Sequence, residues 1–163
     1  MWQRHRVILV SIIENLESRG IRYQVTGGIA GNVYGSAWPP HDIDLEIGAA
    51  DFETVAKLFE AKMMQPPHHF INEEFDLRLM TLSFDGIEVD INQTEDCYLI
   101  TKDGARVPCS TDLSKSERRK FLGLELMVQP LEDLIAYKRI IGRTNDVADL
   151  SALRAPDSVL HSE

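Results

Sequence analysis

Asp85-Gly86 lies between two runs, Leu77 to Phe84 and Ile87 to Asn92, in which apolar and polar residues alternate toward the pair. Asp-Gly in this setting is the strongest short-range hairpin signal, because a two-residue turn with the twist of its strands needs positive φ at both central positions. The turn also sets the register: Phe84 faces Ile87, Ser83 faces Glu88, Leu82 faces Val89, Thr81 faces Asp90 and Met80 faces Ile91. Successive side chains on a strand point to opposite faces. One face therefore carries Phe84, Ile87, Leu82, Val89, Met80 and Ile91 and belongs to a core. The other carries Ser83, Glu88, Thr81, Asp90 and Asn92, and looks at solvent or a cleft.

Around this hairpin, helix and strand signals alternate. Apolar residues at 9, 12, 13 and 16 follow helical spacing from Val7 to Leu16, with Gly20 as a stop. Ile21 to Thr26 and Ile43 to Ile47 read as strands. Asp51 to Met63 reads as an amphipathic helix whose Asp51 and Glu53 suit its positive N-terminal end. Ala37-Trp38-Pro39-Pro40 cannot be regular helix, since each proline breaks it and restricts the residue before it. Asp103-Gly104 marks a second, weaker hairpin. Pro130 to Ile141 reads as a helix with proline in its first turn, and Asp146 to Leu153 as another, capped by Thr144 or Asn145. The pattern predicts an α/β (α+β) domain. With 163 residues the chain suits one core over 1–163, with the C-terminal helices of 130–154 as a small annex.

Charge narrows the partners. Lys and Arg number 17 against 26 Asp and Glu, a net charge of −9. Bulk attraction to nucleic acid rests on Lys and Arg neutralising phosphates, so it is disfavoured here; the dense basic stretch is Lys115 to Lys120. Cys97 and Cys109 lack metal-ligand spacing and read as packing thiols. No run approaches the ~18 apolar residues of a membrane helix. The apolar segment behind the basic N-terminus continues into Glu14, Asn15 and Glu17, as an amphipathic helix does and a signal peptide does not. The expectation is a cytoplasmic protein without membrane contact.

The stretch that carries chemistry is Val25-Thr26-Gly27-Gly28, then thirteen residues, then Asp42-Ile43-Asp44-Leu45. On a strand, Asp42 and Asp44 share one face while Ile43 and Leu45 point into the core. Neighbouring carboxylates repel one another unless a cation sits between them, and an all-oxygen set suits Mg²⁺. Two such ions about 3.5–4 Å apart clamp the attacking and leaving oxygens of a phosphoryl displacement. That arrangement needs a third carboxylate, and Asp90 on the polar face of its strand is the natural one. Gly27-Gly28 lets backbone N–H groups approach a phosphate, with the positive end of the following helix behind them.

Lys138 falls on the stripe set by the apolar positions 131, 134, 135 and 141 of its helix. Either it snorkels to a nearby surface or it reaches a nucleotide phosphate, since a buried ammonium needs an anion. Asp146 and Asp149, one turn apart, read first as N-terminal residues that favour the helix dipole, with a contact to Lys138 or nucleotide as the lesser reading. His68-His69 after Pro66-Pro67 reads as a polar loop without zinc-ligand company. His41 adjoins the aspartate pair. Ser36 and Ser110 have no nucleophile context. Trp38 either packs or stacks on a base.

At these residues the chain resembles the polymerase-beta-type nucleotidyltransferase superfamily, whose signature joins an apolar residue, Gly-Gly or Gly-Ser, a gap, and Asp-x-Asp between apolar residues. Thr26-Gly27-Gly28 and Asp42-Ile43-Asp44-Leu45 fit it, and Val89-Asp90-Ile91 fits its third-carboxylate strand. The run from Val128 to Leu150 resembles the small stand-alone bacterial branch, which includes abortive-infection-type nucleotidyltransferase toxins. The resemblance extends from Tyr23 to Leu153. It implies a small mixed β-sheet flanked by helices. Asp42 and Asp44 would hold two Mg²⁺ (or Mn²⁺) ions, Asp90 would complete the metal site and serve as base for the acceptor hydroxyl, Gly27 and Gly28 would bind the triphosphate, and Lys138 would contact phosphate. The implied reaction moves an NMP group from an NTP to a hydroxyl of RNA, a protein or a small molecule such as an aminoglycoside-type antibiotic. The alternative is a non-catalytic module that binds nucleotide or a partner; for a toxin, the protein partner would be an antitoxin. Two departures stand out: Thr26 is less apolar than usual, and Pro40 occupies a position, two before the aspartate pair, where a basic residue is common.

Overall fold

The computed structural model describes residues 2–154. Residues 1 and 155–163 of the expected domain lie outside the described residues. The chain opens with helix α1 (Gln3–Glu17), whose buried Ile8, Leu9, Ile12, Ile13 and Leu16 form the stripe seen in the sequence. Its first turn, Gln3 to Arg6, has no apolar residue and so left no periodic signal. Strand β1 (Gln24–Thr26) leads into α2 (Gly27–Val33); β2 (Ile43–Ile47) is followed by α3 (Ala49–Leu58). Strands β3 (Met63–Ile71), β4 (Phe75–Phe84), β5 (Ile87–Gln93), β6 (Tyr98–Ile100), β7 (Arg106–Pro108), β8 (Glu117–Phe121) and β9 (Leu124–Val128) come next, then α4 (Leu131–Ile141) and α5 (Thr144–Leu150).

Among the described residues the nine strands form one mixed sheet in the order β7-β6-β4-β5-β2-β1-β9-β8, with β3 along the free side of β4. The β2/β5 and β1/β9 pairs are parallel and the others antiparallel. The expected hairpin register is met pair by pair, from Phe84 opposite Ile87 to Met80 opposite Ile91. Asp85 and Gly86 both have positive φ, 51° and 89°, as the primed turn demands. The second hairpin also forms, between β6 and β7 around Gly104. Val25, Ile43, Leu45, Met80, Leu82, Val89 and Ile91 are fully buried and pack with α1 and with Phe52 and Val55 of α3. That leaves the opposite face of the central strands polar. The C-terminal helix α4 contacts α2, β6 and α5.

Several elements differ from the sequence reading. The helix expected over 51–63 stops at Leu58 and passes through a 3₁₀ turn (Glu60–Lys62), because Met63 is taken up as a strand residue opposite Leu82. The Pro66-Pro67-His68-His69 segment is not a loop. It lies in β3, with register shifts between Met63 and Gln65 and between Gln65 and His68. An edge strand with bulges tolerates prolines that a central strand would reject. The β8/β9 hairpin, turned at Leu122-Gly123, was hidden because Lys115 to Lys120 reads as charge rather than as alternation. Two of its four basic residues are paired locally: Arg119 with Glu117, and Arg118 with Glu125 at 3.4 Å. Helix α5 begins at Thr144, after Arg143, so neither Thr144 nor Asn145 is the residue before the first turn. Asp146 reaches back to accept from the Arg143 backbone N–H at 3.3 Å.

Candidate active site

The sheet register brings the carboxylates together. Asp44 on β2 lies beside Asp90 on β5, and Glu46 beside Asn92. On the other side of β2, Thr26 faces Asp44 and Gln24 faces Glu46. Thr81 on β4 faces Asp90 and donates its hydroxyl to Asp90 Oδ1 at 2.7 Å. Asp42 and Asp44 thus sit on the polar face, as their spacing predicts, while Ile43 and Leu45 are buried beneath.

Gly27 opens α2 with φ 61°, a conformation that a side chain would strain. A Cβ there would also lie 2.8 Å from Asp44 Cγ, so the Asp44 carboxyl occupies the space a side chain would need. Gly28 is closed off differently: a Cβ would meet Pro40 Cβ at 3.2 Å. Pro40 therefore packs against Gly28.

Electrostatics are strained in one direction. Burial, with the charges of Asp90 and Asp42 added, pushes the Asp44 carboxyl up to about 7, against a smaller opposing pull from Arg143. Burial also raises Asp90; the Thr81 hydrogen bond offsets part of this and Asp42 adds to it. Asp42, Glu88 and Asp90 each offer a carboxylate oxygen, and these oxygens lie within 4.8 Å of one another. None of these acids forms an ion pair among the described residues. A close, unpaired, all-oxygen donor set fits a hard divalent cation such as Mg²⁺. Zinc is a poorer fit, because no cysteine or histidine joins the set.

Glu46, which sequence reasoning did not single out, continues the same alternation two residues beyond Asp44. It is buried and accepts from Gln24 Nε2 at 2.6 Å, Thr111 Oγ1 at 2.9 Å and Asn92 Nδ2 at 3.2 Å. Burial raises its carboxyl and these three donors oppose the rise. These bonds tie β2 to β1, to β5 and to Thr111 along the lining of the cleft.

Lys138 is 6% exposed, so it does not snorkel. Its Nζ lies 3.1 Å from Asp146 Oδ1 and 3.2 Å from Asp149 Oδ2. The contact to Lys138 given as the lesser reading for these aspartates is present, since a buried ammonium requires anions, and Asp146 also lies in the first turn of α5, as the first reading has it. Asp149 also accepts from Ser36 Oγ at 2.8 Å, tying α5 to the segment after α2. Arg143, likewise missed, binds Glu74 through Nε at 3.0 Å and lies over the Phe75 ring.

These groups line a cleft of about 880 Å³. It contains Gly27, Gly28, Asp42, Asp44, Asp90 and Lys138 together, with His41, Ser36 and Ser110 on its wall. Trp38 also lines it and is 48% exposed, so it is not a core residue. Nine acidic side chains face three basic ones along the lining, and two of the three, Lys138 and Arg143, are already ion-paired. His68 and His69 are elsewhere; His69 Nε2 meets Asp76 at 2.6 Å. Cys97 and Cys109 are free neighbours at the cleft, the Cys109 N–H donating to Cys97 O at 2.8 Å.

The sequence model of the aminoglycoside-2''-adenylyltransferase family matches residues 8–114. The chain belongs to that family. The matched stretch includes Gly27, Gly28, Asp42, Asp44 and Asp90, whereas Lys138 lies beyond it. The family is one of nucleotidyltransferases, which makes the chain a member of an enzyme family of the superfamily that its motifs resemble. No curated protein matches it by sequence. Among solved structures it resembles the Thermotoga maritima protein TM1012, assigned as a nucleotidyltransferase, at 23% identity and TM-score 0.70, over 90% of each chain. It also resembles the lincosamide antibiotic adenylyltransferase LnuA, solved with lincomycin, at 16% identity and TM-score 0.58, over 88% of this chain and 92% of that one. A third is the antibiotic-resistance factor ANT(2'')-Ia, at 13% identity and TM-score 0.62, over 93% and 83%. At these identities the likeness shows the nucleotidyltransferase fold. Among the described residues no helix is long and apolar enough to cross a membrane.

Proposed function

We propose that the chain transfers an AMP group from ATP to a hydroxyl of a cationic small molecule, in a reaction that depends on divalent cations. The observation that carries this reading is the pairing of Asp44 with Asp90 on adjacent strands, close to Asp42 and with no ion pair to any of the three among the described residues, in a member of an adenylyltransferase family. Asp42, Asp44 and Asp90 would hold the metal, two Mg²⁺ ions in the arrangement the superfamily resemblance implies, with Mn²⁺ as a substitute. Metal bound there would stabilise the charge that develops on the phosphates as the nucleotide reacts.

The remaining roles fall to the chain's own groups. Gly27 and Gly28 leave the backbone N–H groups of the α2 start open to the triphosphate. Lys138 has three N–H donors; Asp146 and Asp149 take two, and the third is available for a phosphate oxygen. The acceptor oxygen forms its bond to the α-phosphorus in line with the breaking bond to the β-phosphate oxygen, and pyrophosphate leaves. Asp90, whose carboxyl is oriented by Thr81, takes the hydroxyl proton. Catalysis here is chiefly positioning and charge stabilisation.

Acceptor choice follows from the lining of the cleft. With nine acidic side chains against three basic ones along the cleft, and with Arg118 and Arg119 of the KSERRK stretch in internal pairs, a polycation is favoured over RNA. The family match shifts the acceptor toward a small molecule, away from the protein or RNA target, and the antitoxin partner, that a toxin-like branch would require. The test is an assay of pyrophosphate release from each NTP against amino sugars, neutral hydroxyl compounds and tRNA. ATP with an amino-sugar acceptor should turn over. Turnover with tRNA alone would overturn the acceptor assignment, and turnover unaffected by Asp44→Asn would overturn the site.

A further inference from the structure

We infer that Glu88 is a fourth metal-binding carboxylate of this site, and that with Asp42 and Asp90 it binds one divalent cation before any nucleotide arrives. The inference rests on the metal-dependent reading above and goes beyond it, because Glu88 is not part of the signature that identifies the site.

The sheet makes the case. β2 and β5 run parallel with Ile43 beside Val89 and Asp44 beside Asp90. Glu88 precedes Val89 as Asp42 precedes Ile43, so the same register sets Asp42 alongside Glu88. Two successive rows of adjacent strands thus carry like charges side by side, a placement that destabilises a sheet. Strand geometry does not force it, since Ser83 opposite Glu88 on β4 shows that a neutral residue suits this face. Glu88 is only partly exposed, and among the described residues it has neither a hydrogen bond nor an ion pair to offset the repulsion.

Its neighbours show what would offset it. The oxygens of Asp42, Glu88 and Asp90 fall within 4.8 Å of one another, while Asp44 is drawn inward under Gly27 and is not in that group. Three carboxylates around one point raise affinity for a hard cation by charge count. Mg²⁺ held by only one or two carboxylates usually completes its shell with waters and substrate phosphates. With Glu88 added, one position has enough protein oxygens to fill without nucleotide.

The experiment is a Mn²⁺ titration of the full chain followed by the EPR signal of free Mn²⁺, with and without a non-hydrolysable ATP analogue. Wild type, Glu88→Gln and Asp42→Asn are compared. Wild type should bind Mn²⁺ without nucleotide, and Glu88→Gln should weaken that binding by about tenfold or more. Metal-free Glu88→Gln should melt no lower than wild type, because the change removes a repulsion and no contact. Equal nucleotide-free affinity in wild type and Glu88→Gln overturns the inference and leaves the metal-dependent reading intact. So does Mn²⁺ binding by wild type only in the presence of the analogue. Absence of Mn²⁺ binding under both conditions, or full binding by Asp42→Asn, overturns the reading of the site itself.

Discussion

Asp44 is where fold and chemistry meet most tightly: its carboxyl fills the space left by Gly27 and stands beside Asp90. Asp44→Asn should cut transfer by at least about a hundredfold, since metal-stabilised transition-state charge is worth several kcal/mol. It should not lower the metal-free melting temperature, because the same change removes a buried like charge. The raised carboxyl also fixes a pH dependence. Between its unfolded value near 4 and its folded value of about 7, native Asp44 holds more protons than the unfolded chain. Metal-free stability contributed by this group is therefore greatest below pH 4 and falls as pH rises toward 7. Thermal melts in chelator from pH 4.5 to 7.5 should show that decline, and Asp44→Asn should flatten it. Asp42 with Asp44, and Asp90 on its own strand, were readable because alternation places each on a polar face; the β2/β5 pairing is what sets Asp44 beside Asp90. Glu46 continues that alternation and was equally readable, but only the register shows that it is buried and bound by Gln24, Asn92 and Thr111.

At the scale of elements, α4 and α5 are joined through Lys138, and α5 in turn to the segment after α2 through Asp149 and Ser36. Breaking a buried pair from one side leaves uncompensated charge, so Lys138→Met should lower stability by about 3–5 kcal/mol in urea unfolding. Adding Asp146→Asn and Asp149→Asn should recover much of that loss; an additive loss would contradict the pairing. The apolar stripe of α4 announced an anomalous lysine, but its partners lie on another helix whose orientation no local pattern encodes. The Asp85-Gly86 hairpin was legible to the residue because turn chemistry sets register. β3 was not: Pro66-Pro67 denies the strand pattern, and only its edge position beside β4 makes the prolines tolerable. The β8/β9 hairpin was obscured for a related reason, its charged alternation reading as a basic patch.

The whole molecule carries −9 and concentrates acid along the cleft, where two of the three basic residues, Lys138 and Arg143, are already paired. A cationic acceptor would be drawn in by that field, which salt screens over a Debye length of about 10 Å at 0.1 M. The KM for an amino-sugar acceptor should therefore rise with sodium chloride, while a neutral acceptor of similar size should show little dependence; initial rates at several ionic strengths check this. Architecture at this scale was readable from the alternation of elements and from the motif order. The grouping of acidic residues from β2, β5, α4 and α5 around one cleft was not, because it depends on how distant elements dock. The most direct test of the nucleotidyltransferase site is a thermal-shift titration of the full chain with ATP, with and without Mg²⁺, on wild type and Asp44→Asn. Ligand at a hundred times its dissociation constant stabilises the native state by about 2.7 kcal/mol. Wild type should show a shift of that order that requires Mg²⁺ and is lost in Asp44→Asn; no shift, or the same shift in both proteins, would contradict the assignment of the site.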